Sequence, residues 1–162
     1  MTVETYEFIS KPFHNKKALK LLLIMNQGIS LAAFFSFPVL LFIVYRSSLI
    51  KGLRYCIGSG LCFIAVSIFR RVLNKKRPYE VLDISPLINK DTAGRSFPSR
   101  HLFSIFIIAA LWCSVSLPVG ICLLIGGVLL GMIRVIGGVH FFSDCAAGAI
   151  IGVLCGMAII II

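Results

Sequence analysis

The chain has 162 residues, enough for one domain, and 59% of it is hydrophobic at a mean hydropathy of +1.00, which excludes an ordinary soluble globule. Sixteen lysines and arginines against six acids leave a net charge of +10. Beside long apolar runs, that excess points to an anionic bilayer surface or a phosphorylated lipid, and nucleic acid is not an expected partner.

Residues 1–18 are polar to amphipathic, with Phe8 and Phe13 set among Lys11, Lys16 and Lys17, and read as a segment lying on the membrane. Glu4, Glu7 and the lack of an early apolar core do not resemble a cleavable signal peptide. Leu21–Tyr45 is the first spanning segment, because about 20 apolar residues cross the hydrocarbon core, and Pro38 is expected to kink it. Arg46 to Lys51 makes a short connection, and Leu53–Leu73 is the second span. Asn74 to Arg100 is the one substantial polar loop. A short third span covers His101–Leu117, with a tight turn at Pro118. Val119–Ile136 is the fourth, broken at Gly137-Gly138, and Phe141–Ile162 is the fifth. The expected fold is therefore an all-α polytopic transmembrane bundle of about five spans plus an N-terminal interfacial helix, forming a single domain over 1–162. Cys56, Cys62, Cys113, Cys122, Cys145 and Cys155 lie within or beside apolar segments without CxxC spacing, and read as packing residues.

Five spans place the end of the second, the start of the third, the end of the fourth and the start of the fifth on one face of the bilayer. Those ends carry Arg70, Arg77, Arg100, His101, Arg134, His140 and Asp144. The opposite face has Arg46, Lys51 and Arg54, then an uncharged turn. Ionisable groups converging on one side are what an active site at a membrane interface requires.

Three stretches carry the chemistry. In RRVLNKKRP, Arg70 and Arg77 are seven apart, about two helical turns, and two guanidinium forks on one face suit a phosphate dianion. Lys75 and Lys76 beside them also fit a positive anchor at the membrane surface. In GRSFPSRH, Ser99 is placed as the cap of a helix whose free N–H groups favour an anion, and His101 in the first turn could donate a proton. In RVIGGVHFFSD, Asp144 is the only acid in any span. It lies one turn after His140, where its carboxylate can take the Nδ1 proton and leave Nε2 as nucleophile or base. The Gly137-Gly138 turn allows Arg134 to return beside His140. Two histidines, one carboxylate and several arginines, with no metal-ligand pattern, fit phosphoryl transfer better than acyl transfer.

These stretches resemble the signature of the type 2 phosphatidic acid phosphatase (PAP2) superfamily of lipid phosphatases, written K-x6-R-P, P-S-G-H and S-R-x5-H-x3-D. Here they stand as Arg70-x6-Arg77-Pro78, Pro98-Ser99-Arg100-His101 and Ile133-Arg134-x5-His140-x3-Asp144. Arg70 replaces the lysine, Arg100 the glycine and Ile133 the serine, changes that bear on substrate preference and rate more than on the reaction. Soluble vanadium haloperoxidases share the signature, but the hydropathy argues against that branch. Members often have six spans, and the short bacterial undecaprenyl-diphosphate phosphatases of the superfamily are similarly compact.

The resemblance implies a phosphohistidine on His140, oriented by Asp144, with His101 protonating the leaving oxygen and then activating water. Arg70, Arg77 and Arg134, with Ser99 and the backbone around Arg100, would hold the phosphate, and neither metal nor cofactor is implied. Undecaprenyl diphosphate, slightly favoured by compactness, competes with phosphatidylglycerophosphate and phosphatidic acid as substrate. A non-catalytic lipid carrier that keeps the arginine cradle is the alternative. The expected location is the cell membrane. The N-terminal lysines favour a cytoplasmic site face, whereas the resemblance implies the outer face, which is the expectation taken.

Overall fold

The structure, a computed structural model, describes residues 1–89 and 93–162. All of its regular elements among these residues are helical. Helix α1 (Val3–Ser10) starts where the Thr2 hydroxyl accepts the Thr5 N–H, with Glu4 in the first turn. A 3₁₀ turn over Lys11–His14 leads to α2 (Lys16–Ser47), capped by the Asn15 carboxamide accepting from Lys17 N–H at 3.0 Å. Helix α2 begins inside the segment expected to lie on the membrane, and it continues through Pro38. Its 32 residues reach about 48 Å, more than the roughly 30 Å core requires.

The expected six-residue connection shrinks to one residue. Ser48 ends α2 and caps α3 (Leu49–Leu73), its hydroxyl accepting from Lys51 N–H. After α3 the polar loop contains a single-turn α4 (Pro78–Val81). Helices α5 (Arg100–Cys113), α6 (Leu117–Ile136) and α7 (Phe142–Ile161) complete the chain. Pro118 does not make the turn expected of it. It sits in the first turn of α6, where its missing N–H is harmless, and Ser114 to Ser116 carry the reversal.

Four helices, α2, α3, α6 and α7, are long and apolar enough to cross a membrane. The third expected span, α5, has 14 residues and reaches only about 21 Å. It is instead the bundle's centre, with Leu102, Phe103, Ile105, Ile107, Leu111 and Trp112 buried around its circumference. The Tyr55 hydroxyl of α3 meets Ser114 Oγ at 2.7 Å just past one end of α5, and Arg70 of the same helix bonds the residues just before the other. The N-terminus of α5 is thus recessed below the end of α3, which leaves room for the polar loop. The outer helices expose Phe34, Phe42, Ile57, Ile68, Met132 and Leu154, as a lipid-facing surface must.

Helix α7 approaches α5 along Gly148, Gly152 and Gly156, spaced one turn apart. A Cβ on Gly148 would lie 2.5 Å from Ser99 O, and one on Gly152 would lie 2.6 Å from Phe103 O. Only small residues permit such an approach between helices in lipid, where close packing replaces the hydrophobic drive. This stripe sets the start of α7 against the start of α5.

Candidate active site

The polar loop is held by the two arginines of the first stretch. Arg70, in the last turn of α3, donates from its guanidinium to the carbonyl oxygens of Arg95, Ser96 and Pro98. Arg77 donates from Nε to Gly94 O at 3.0 Å and from Nη1 to Val139 O at 3.1 Å. Both side chains are buried. Glu80 Oε2 accepts the N–H groups of Arg77 and Gly94, each at 2.8 Å, and so closes the loop on itself. Gly94 and Arg95 adopt left-handed φ values of 65° and 53°. At Gly94 a Cβ would come within 2.3 Å of Asn74 Oδ1, so only glycine fits that turn. The forks read from the sequence as phosphate donors thus spend several of their N–H groups on backbone carbonyls, shaping the loop around the site.

The loop delivers Ser96 to the third stretch. Its hydroxyl donates to Asp144 Oδ2 at 2.5 Å and lies 3.3 Å from His140 Nδ1. His140 is not one helical turn from Asp144 as expected, because it stands before the Phe141 cap of α7; Asp144 Oδ2 is 3.8 Å from Nδ1, and the hydroxyl bridges that gap. The other carboxylate oxygen takes Lys75 Nζ at 2.7 Å, and Oδ2 also accepts Phe141 N–H at 3.2 Å. His140 and Asp144 are essentially inaccessible, at 1% and 0% exposure. An imidazole held at Nδ1 presents Nε2 on the opposite edge of the ring.

The Gly-Gly turn behaves as its sequence suggests. Gly138 has φ of 75°, and Val139 N–H returns to Arg134 O at 3.2 Å, which places His140 one residue beyond a direct bond to the end of α6. Tyr6 of α1 packs against this turn, 3.0 Å from where a Gly138 Cβ would stand, and donates to Ser85 O at 3.0 Å. Arg134 is 5% exposed; its Nε has no hydrogen-bond partner and no carboxylate within ion-pair distance among the described residues. A buried cation without a counter-charge is costly, and it marks where an anion belongs.

Helix α5 contributes from its first turn. Ser99 stands at the N-cap position, its N–H donating to Asp144 O at 2.8 Å, but its hydroxyl makes no capping bond. His101 shares a cavity of about 470 Å³ with Arg134. It also lines a second, apolar cavity of about 700 Å³ bounded by Phe34, Phe37 and Pro38 of α2 and Phe63 of α3. Arg100 is exposed at this apolar cavity, with its guanidinium 5.6 Å from the Phe63 ring centre, a cation on an aromatic face.

The structure therefore gathers Arg70, Arg77, Ser99, His140 and Asp144 through direct bonds or bonds to shared loop residues, and joins His101 to Arg134 through a cavity. Arg100 turns toward the apolar groove. Ser96, Lys75 and Glu80 are site residues that sequence reasoning missed. Glu80, three residues after Arg77 and two after Pro78, had a legible helix-start signature; Ser96 and Lys75 had none. Among the described residues, no three His, Cys, Asp or Glu side chains gather as a metal site.

Comparison with known proteins agrees with this fold. The chain is similar over its full length to the crystal structure of Aquifex aeolicus LpxE, with 25% identity, 99% of this chain and 95% of that one covered, and a TM-score of 0.76. It shares its fold with the first transmembrane PAP2 type phosphatidylglycerolphosphate phosphatase from Bacillus subtilis, at 20% identity, 96% and 90% coverage and a TM-score of 0.62. No curated protein matches the chain. The PAP2 superfamily model matches residues 51–162, the segment that holds all three stretches, and the chain belongs to that superfamily of membrane phosphatases.

Proposed function

We propose that the protein hydrolyses a phosphomonoester or diphosphate of a membrane lipid through a phosphohistidine on His140. The observation that carries this reading is Arg134, a buried guanidinium with an unpartnered Nε in a cavity shared with His101. A phosphate supplies the missing acceptors and the missing charge.

In the first step Nε2 of His140 attacks phosphorus and the bond to the lipid oxygen breaks, with His101 giving that oxygen its proton. The Nδ1–H of His140 is accepted by Ser96 Oγ, whose own proton goes to Asp144, so the carboxylate steadies the charge that grows on the ring. In the second step His101 takes a proton from water as the water attacks phosphorus, and the P–N bond breaks to release phosphate. Arg134 spreads the charge of the phosphoryl oxygens in both steps. Arg70 and Arg77 hold the loop and direct their remaining donors at the same anion.

The apolar groove beside His101 supports a lipid rather than a soluble phosphate ester, since a tail can run from the reacting centre into the membrane. We place the site on the outer face. The exposed Lys11, Lys16, Lys17 and Lys20 on α1's side of the bundle then serve to attract an anionic substrate. A cysteine introduced at exposed Asn89 and labelled from outside intact cells tests the orientation, and protection there reverses it. Phosphate release by purified protein from a panel of lipid phosphates tests the reaction. His140→Ala should abolish turnover, and wild-type-like activity in that variant would sink the mechanism.

A further inference from the structure

The side of α2 turned toward the site carries polar residues that the three stretches do not include. Asn26, Gln27 and Ser30 line the 470 Å³ cavity together with His101 and Arg134. They stand in a long apolar helix that can cross a membrane, where polar side chains are costly and turn toward cavities that use them. Ser30 Oγ is accounted for by a 2.7 Å bond to Asn26 O. Asn26 Oδ1 is not: it is buried, with no partner among the described residues, like Arg134 Nε in the same cavity.

The two unmet groups differ in chemistry. The guanidinium calls for an anion, and the Asn26 carboxamide oxygen calls for a hydrogen-bond donor. His101, which in the reading above protonates the leaving oxygen, shares the cavity with both. A phosphate dianion has no donor to offer Asn26 Oδ1, whereas a leaving group can carry one, so the carboxamide oxygen matches the leaving group. His101 and Ser30 also line the apolar groove, so the cavity opens onto the path assigned to the tail.

We infer that Asn26, assisted by Gln27, binds a free hydroxyl next to the scissile phosphate ester, which makes the preferred substrate a phosphorylated polyol lipid, with a glycerol or sugar headgroup, rather than a polyprenyl diphosphate. A hydroxyl pairs with either end of a carboxamide. The second phosphate of a diphosphate offers only acceptors, and it leaves the buried Asn26 Oδ1 without a donor. This inference rests on the phosphatase reading.

The test uses the full-length protein in lipid nanodiscs and three substrates: phosphatidylglycerophosphate, whose leaving group carries a hydroxyl beside the ester, and phosphatidic acid and undecaprenyl diphosphate, whose leaving groups carry none. Wild type should have its highest kcat/KM on the first. Asn26→Leu should lower that value about tenfold and leave the other two nearly unchanged. Gln27→Leu, at an exposed position, should give a smaller loss of the same selectivity and provides the comparison if the first variant does not purify folded. Equal losses on all three substrates, or a wild-type preference for a substrate without the hydroxyl, overturns the inference while leaving the phosphatase reading standing. No phosphate release from any of the three by wild type overturns both.

Discussion

Gly148→Ala is the sharpest probe of how the fold sets up the chemistry. The added Cβ would stand 2.5 Å from Ser99 O and 3.2 Å from Leu102 Cβ, whereas ordinary contact begins at 3.4 Å. The backbone carbonyl cannot rotate away, because Phe103 N–H bonds it at 2.9 Å as part of the first turn of α5. The helices must therefore separate by about 0.9 Å at the level of Ser99, two residues before His101. Overpacking of this size costs about 1–3 kcal/mol of stability. A shift near 1 Å between reacting groups costs about a hundredfold in rate. The same movement stretches the 2.8 Å bond from Ser99 N–H to Asp144 O, which ties the starts of α5 and α7 together. The expected result is a lower thermal midpoint in detergent and a kcat for phosphate release down about a hundredfold. Gly28→Ala is the control, since its Cβ meets nothing within 4 Å and a helical glycine gains slightly from the change. Wild-type turnover and stability in Gly148→Ala would refute the claim that helix contact positions His101.

Three further outcomes follow from named bonds. Ser96→Ala removes the hydroxyl between His140 and Asp144 and should lower kcat about tenfold or more with little change in KM, measured by steady-state phosphate release. Glu80→Ala strands the N–H groups of Arg77 and Gly94 and should destabilise the loop by about 2 kcal/mol, read as a lower thermal midpoint. Arg134→Met removes a buried cation whose Nε lacks a partner, so it should abolish activity and yet raise the thermal midpoint of the ligand-free protein; a fall would show that the guanidinium is structural.

Much of this molecule was legible along the chain because the relevant signals are local. Hydropathy is a property of a window, and it located the four long helices to within a few residues at most ends, with the third apolar segment recognised as short. Motif spacing is also local: His140 and Asp144 are four residues apart and come together, although His140 stands before the Phe141 cap of α7 and not on the helix, and the glycine pair predicts a turn after Arg134. Boundaries were weaker where a single side chain decides them, as at Ser48, which replaces an expected six-residue connection by capping one helix as it ends another. Pro118 reads as a turn, yet it lies within the first turn of α6, while Pro38 lies inside α2 as its span required.

The sequence by itself determined the membrane class and the helical bundle, and it singled out the arginines and histidines proposed for the site, because each is written in composition or in spacing within a short segment. Only the tertiary structure decided how those residues are used. Lys75 and Asp144 are 69 residues apart, and Ser96 and Asp144 are 48 apart; no periodicity connects them, and they meet because Arg70 and Arg77 pin the loop's carbonyls in place. Asn26 belongs to none of the three stretches, and only the packing of α2 sets it beside the cavity of His101 and Arg134. The glycines of α7 are visible at one-turn spacing, but which helix they admit, and how closely, depends on packing across the bundle, where the absence of a Cβ has an effect only when a neighbour is there to use the space.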